Sequence, residues 1–215
     1  MQTIRIRFSK RGRAKYISHL DLMRAMSRAV RRAGLPIWYT EGFNPHPYLS
    51  FALPLPLGQE GLREAMDLRL IEDIPLGEIP ACFDEVLPEG LEILEATQPW
   101  CGPGEIAAAE YEIAIPCENP EEWRANAEYL LAGGNLTAKK MGKQGHRKVE
   151  KEIALAPLIF NYALAPGESQ VEFACTLAAG SEANLNPALL CEALGCETPQ
   201  ITRVKLLRAD GSEWE

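Results

Sequence analysis

The chain opens on an alternation in which Ile4, Ile6 and Phe8 are interleaved with Arg5 and Arg7, the period-two pattern of a strand with one buried face. From Ser18 the period changes. Leu22, Met23, Met26, Ala29, Val30 and Ala33 recur at helical spacing until Gly34, and Arg24, Arg28, Arg31 and Arg32 line the other side. Ser18 stands as N-cap, with Asp21 three residues later completing a capping-box-like pair. Residues 37–40 and 49–55 and the alternation at Met66, Leu68 and Leu70 predict further strands, followed by a short helix over 80–87 and a strand over 91–94.

The pattern then returns. Tyr111, Ile113 and Ile115 alternate in a strand that leads to a helix capped by Asn119-Pro120, with Glu122 in the capping-box position. Strands over 159–165 and 171–177, a helix from Asn186-Pro187 to Gly195 and a strand over 201–208 close the chain, with Thr202, Val204 and Leu206 expected opposite Arg203 and Lys205. Between the halves, Pro99, Gly102, Pro103 and Gly104 interrupt both periods. The expected fold is therefore α+β: two tandem ferredoxin-like (βαββαβ) units with antiparallel sheets, one over 1–98 and one over 110–215. Such a unit packs its helices on one sheet face. In the first unit the free face would carry Arg5, Arg7, Asp67 and Arg69, either as cross-strand ion pairs or as a ligand-contacting surface.

Charge changes this picture. The 215 residues carry a formal net charge of −8, which on average argues against a polyanionic partner. Residues 1–50, however, hold ten basic side chains against two acidic ones, and six of the remaining twelve basic residues fall within 139–151. That second stretch, AKKMGKQGHRKVEK, reads as a basic loop or hairpin in which Lys139, Lys140, Lys143, Arg147 and Lys148 are candidate phosphate contacts. In the first stretch the candidates are Arg5, Arg7, Lys15, Arg24, Arg28, Arg31 and Arg32. No run approaches about eighteen apolar residues and no apolar leader opens the chain, so a cytoplasmic protein without a membrane partner is expected. The six cysteines form no CxxC pair and are expected as reduced thiols, with no metal and no cofactor.

Two short segments carry polar chemistry. Ser18, His19 and Asp21 stand at the positive end of a helix, where they either bind an anion or simply cap it. In Gly42-Phe43-Asn44-Pro45-His46-Pro47 the prolines stiffen the chain around Asn44 and His46, which makes either a holder of polar groups or a plain turn. Trp38, Tyr39, Phe43 and Tyr48 surround it, some as core and some able to stack on a base.

The run from Tyr16-Ile-Ser-His-Leu-Asp through Arg24, Ala33-Gly-Leu-Pro36 and Gly42-Phe-Asn-Pro-His-Pro to Ser50-Phe51 and Leu55-Pro-Leu-Gly58 resembles the radical-SAM-associated domain of unknown function, in its standalone form. The resemblance extends through Asp67 and, more weakly, the 139–151 stretch. It implies a module that works with a radical SAM protein in RNA processing or modification. The chain lacks a Cys-x3-Cys-x2-Cys motif, so the radical chemistry would belong to that other polypeptide, and the family supplies no catalytic residues to carry over.

Three functions are in contention. The first is an accessory module that holds RNA or another anionic substrate, with Arg24, Arg28, Arg31 and Arg32 on phosphates and His19, Asn44 and His46 forming a more selective pocket. The second is an RNA-cleaving or RNA-modifying enzyme with His19 and His46 as acid and base and Asp21 orienting one of them. The third is a scaffold whose acidic second half docks a protein.

Overall fold

The computed structural model describes residues 1–144, 147–196 and 198–215, with the side chains of residues 140–150 outside the description. The first half supplies β1 (Gln2–Lys10), α1 (His19–Arg32), β2 (Leu49–Phe51), β3 (Glu60–Leu70) and β4 (Leu91–Thr97). The second supplies β5 (Ile106–Pro116), α2 (Pro120–Ala132), β6 (Thr137–Gln144), β7 (Arg147–Ala154), β8 (Ile159–Pro166), β9 (Gln170–Ala178), α3 (Pro187–Ala193) and β10 (Gln200–Arg208). The class is α+β, as the two periodicities require.

Eight strands form one mostly antiparallel sheet in the order β4-β1-β3-β10-β5-β9-β8, with β2 added on β3. The halves meet edge to edge. β10 runs parallel to β3 over Thr202↔Glu60 and Arg203↔Gly61, while β2 takes the other end of the same β3 edge from Leu49↔Leu68 to Phe51↔Met66. In place of a separate sheet for each half, one sheet passes through both. β6 and β7 pair with each other as a separate hairpin, so the basic stretch is a hairpin.

Each half keeps its own apolar core. Leu22, Met26, Ala29 and Val30 of α1 pack on Ile4, Ile6 and Phe8 of β1 and on Met66, Leu68 and Leu70 of β3. The second core gathers Ile113, Ile115, Phe173, Leu177, Leu190, Cys191, Ile201 and Trp214. None of the six cysteines is in a disulfide, and burial pushes the Cys175 thiol up to about 12, which keeps it protonated and unreactive.

Three local expectations need correction. Residues 80–87 do not form an α-helix; the segment makes 3-10 turns at Leu76–Glu78 and Pro80–Phe83, which suffices to bury Ile79 and Phe83 between Pro75 and Pro88. Asn119 makes no side-chain cap, and α2 starts instead on Pro120 with its preset φ and on Glu121 and Glu122 in the first turn. In β10 a bulge between Arg203 and Lys205 reverses the alternation, so Ile201, Arg203 and Leu206 are all buried. Among the described residues no helix is long and apolar enough to cross a membrane.

Candidate nucleic-acid interface

The helix that packs on the first half of the sheet leaves its opposite side free. Its start is self-contained: the Asp21 backbone N–H donates to Ser18 Oγ at 3.2 Å, the Ser18 hydroxyl donates to the Asp21 carboxylate at 2.7 Å, and Arg24 pairs with Asp21 at 3.0 Å. These bonds, Ser18 first and Arg24 second, hold the Asp21 pKa below its ordinary value. Ser18 and Asp21 are thus a cap whose groups satisfy one another, the plainer of the two readings. Arg24, Arg28, Arg31 and Arg32 remain exposed beyond it.

The loop after Tyr39 folds back on itself. The Thr40 N–H donates to the His46 carbonyl at 2.9 Å, the His46 N–H to Thr40 Oγ1 at 3.2 Å, and the Tyr48 N–H to the Trp38 carbonyl at 3.0 Å. His46 Nδ1 lies 3.1 Å from the Asn44 carbonyl. Thr40 Oγ1 lies at the same 3.1 Å from Nδ1, so this ring nitrogen is engaged within the loop. Pro47 is buried, and this seats His46 at the wall of a hollow of about 590 Å³ between α1 and the loop. Leu20, Met23, Arg24, Ser27, Arg28, Pro47 and Leu49 complete the lining. On the other side of Arg28 a hollow of about 440 Å³ is lined by Arg31, Arg32 and Pro88. The arrangement surrounds an apolar floor with guanidinium, imidazole and hydroxyl groups, which suits a molecule with both a charged phosphate and a flat apolar part.

This site brings together Arg24, Arg28 and His46, and leaves the other expected pocket members outside. His19 packs edge-on against Phe51, with ring centres 5.2 Å apart, and burial, then the charge of Lys10, lower its pKa. Asp21 is bonded to Ser18 and Arg24, so it orients neither histidine. Asn44 contributes its carbonyl to His46, and its side chain does not line the hollow. Lys15 pairs with Glu60 at 3.4 Å. Leu20, Ser27 and Leu49 line the hollow without having been expected at a site, and Met23, expected on the apolar side of α1, is exposed and lines it too.

Arg5, Arg7 and Asp67 do not form an open face. Arg5 is 0% exposed and Arg7 2%, because the 209–215 segment folds back over them and lays Trp214 across Arg5, with the guanidinium carbon 3.9 Å from the ring centre. Arg5 donates to Asp67 at 2.8 and 3.0 Å, to the Cys101 carbonyl at 2.9 Å and to the Glu215 backbone oxygen at 2.6 Å. Arg7 donates to the Trp214 carbonyl at 2.7 Å. Burial opposes the charge on both. Asp67 overcomes that for Arg5, whose pKa is raised, whereas Arg7 lacks such a partner and its pKa is lowered by burial and then by Arg5.

In the hairpin, Lys139 is exposed, and the side chains of Lys140, Lys143, Arg147 and Lys148 lie outside the described residues, as does His146. No group of three or more His, Cys, Asp or Glu among the described residues could hold a metal ion.

A bacterial family matches residues 3–187, which takes in β1 through the start of α3 and every element of the groove. The chain belongs to it. The family is described as an uncharacterized protein conserved in bacteria, DUF2344, and that description states neither activity nor partner. No curated protein matches the chain. The groove of this DUF2344 member is accordingly interpreted from its own chemistry.

Proposed function

We propose that this protein is a cytoplasmic accessory module that holds RNA, or a similarly anionic substrate, for a separate radical SAM enzyme acting in RNA modification or processing. The observation that carries the binding reading is the hollow that Arg24, Arg28 and His46 line together with Leu20, Met23 and Leu49, flanked by Arg31 and Arg32. An acidic chain that gathers four exposed arginines of one helix around two adjoining hollows has there a surface suited to phosphates. The radical SAM partner rests on the resemblance of residues 16–58 alone. We read the halves, 1–98 and 110–215, as two tandem ferredoxin-like units, since β4-β1-β3-β2 and β10-β5-β9-β8 share the order last, first, third, second.

An enzyme using His19 and His46 together needs both rings at one reacting centre, and His19 is not among the residues around the hollow that His46 lines. The binding reading is therefore preferred. Titration of a labelled RNA hairpin tests it. Affinity is expected to fall steeply with salt, and Arg28→Glu with Arg32→Glu is expected to weaken binding by about tenfold or more. Binding that is absent at low salt, or unaltered by the double reversal, overturns the reading. A protein complex recovered intact after that reversal would favour a docking scaffold instead.

A further inference from the structure

The sheet face opposite α1 carries a second basic and aromatic cluster. The Arg69 guanidinium carbon lies 4.9 Å from the Trp38 ring centre and 4.6 Å from that of Tyr48, and the two rings are 6.0 Å apart. Rings that close leave no room for a plane between them, so the guanidinium caps the pair from one side. All three residues are only partly buried. The backbone fixes them: the Trp38 N–H donates to the Arg69 carbonyl at 2.7 Å, and the Tyr48 N–H to the Trp38 carbonyl at 3.0 Å. Among the described residues no group accepts a hydrogen bond from the Arg69 guanidinium, the Trp38 indole or the Tyr48 hydroxyl. Arg5, on the same face, has its donors taken by Asp67, Cys101 and Glu215. Arg69 is stacked and positioned, yet its hydrogen-bonding fork is unclaimed, the state of an arginine ready for a phosphate and a base.

The placement selects the kind of nucleic acid. Neighbouring residues of an extended chain point to opposite faces. Tyr39 lies 5.5 Å from Arg31, on the α1 side, so Trp38 and Arg69 lie on the other. A strand leaving the arginines of α1 reaches Trp38 only by turning around the sheet edge at residues 37–39. A double helix is stiff over lengths far greater than this protein, whereas an unpaired strand makes such a turn and exposes its base faces.

We propose that Trp38, Tyr48 and Arg69 bind an unpaired nucleotide of single-stranded RNA, with Arg69 stacking on the base and donating to an adjacent phosphate. The proposal rests on the reading that α1 binds RNA. The test compares a uridine homopolymer of roughly twelve nucleotides, within the usual site size, with a blunt RNA duplex of equal length. The protein is expected to prefer the single strand, and Trp38→Ala and Arg69→Ala are each expected to reduce that preference by about tenfold. Arg69→Lys keeps the charge but loses the plane and should behave like Arg69→Ala. Should an alanine variant fail to fold, Arg69→Lys and the fluorescence quenching lost in Trp38→Phe decide the matter. Equal weakening on both probes, or an unchanged preference in a protein that still responds to Arg28→Glu with Arg32→Glu, overturns the proposal and leaves the α1 reading standing. If that double reversal affects neither probe, the α1 reading itself falls and this proposal with it.

Discussion

Two groups of basic residues, drawn from the same charge class, end in opposite environments. Arg5, Arg7, Lys10 and Arg203 are all at most 2% exposed, while Arg24, Arg28, Arg31 and Arg32 stand on the free side of α1. The buried group answers to internal acceptors. Arg203 forms a two-pronged pair with Glu64, one arm at 2.9 Å, and also donates to the Leu53 carbonyl at 2.7 Å at the seam between β3 and β10. Lys10 donates to the Ile17 carbonyl at 3.1 Å. The exposed group has few partners: Arg32 reaches the Val86 carbonyl at 3.0 Å, Arg28 the Arg24 carbonyl at 3.2 Å, and Arg24 the surface carboxylate of Asp21. Positive charge in this chain thus serves two ends, answering buried acceptors at the seam and beneath the 209–215 segment, and facing solvent beside a groove. Counting charge cannot separate them; the location of acceptors can.

The comparison breaks most visibly at the seam. Burial opposes the charge on Arg203 and Glu64 overcomes it, so removing Glu64 alone leaves a desolvated cation. Glu64→Ala is expected to lower the unfolding free energy by about 3–5 kcal/mol, read from urea denaturation, while Glu64→Leu with Arg203→Met should recover most of that loss. A cost near zero for Glu64→Ala would show that the seam is not what joins the halves. On the exposed side the pattern should invert. Arg28→Glu with Arg32→Glu, expected to cut RNA affinity by about tenfold or more, should shift the thermal midpoint by less than about 4 °C, the scale of a small perturbation in a domain of this size. A large drop in that midpoint would assign those arginines to the fold.

Smaller effects sharpen the contrast. Ser18→Ala removes the cap of α1 and is expected to cost about 1 kcal/mol with little change in RNA binding, since Ser18 is committed to Asp21. For His19 the folded pKa lies below the ordinary 6.5, burial being the larger cause and Lys10 the smaller. The unfolded chain therefore takes the proton first as the pH falls. The stability tied to the neutral ring is complete above about 6.5 and lost as the pH falls through the lower folded value. Denaturation midpoints measured between about pH 7.5 and 5 should decline less in His19→Phe than in the unaltered protein; equal slopes would place the ring in solvent. Smallest of all, Arg24→Ala should leave the midpoint within error, because its pair with Asp21 is solvated on both sides.

Much of the fold was legible because its core is written in regular periods. The alternations at Ile4-Ile6-Phe8 and Tyr111-Ile113-Ile115, the helical spacing from Leu22 to Val30 and the Asn186-Pro187 start all lie in the elements expected of them. Failures fell where a local rule met a tertiary constraint. The β10 alternation was reversed by a bulge, and 80–87 settled into a 3-10 turn over Pro80–Phe83 in place of an α-helix. The groove was half legible. Arg24, Arg28 and His46 were named from charge and loop stiffness, but no spacing told that His46 would come to α1 while His19 turned to Phe51. Arg5 and Arg7 misled because their alternation marks a strand with a polar face without revealing what covers that face.

By itself the sequence determined the α+β class, the order of most elements, the two basic concentrations and the cap of α1, all of which depend on residues within one turn or one strand. Tertiary structure alone decided that the two halves share one sheet, that the 209–215 segment covers Arg5 and Arg7, and that Trp38 and Tyr48 meet Arg69. Those outcomes join residues that are up to 210 positions apart. They turn on whether a long-range acceptor or ring arrives beside a charge, and a local period carries no information about that.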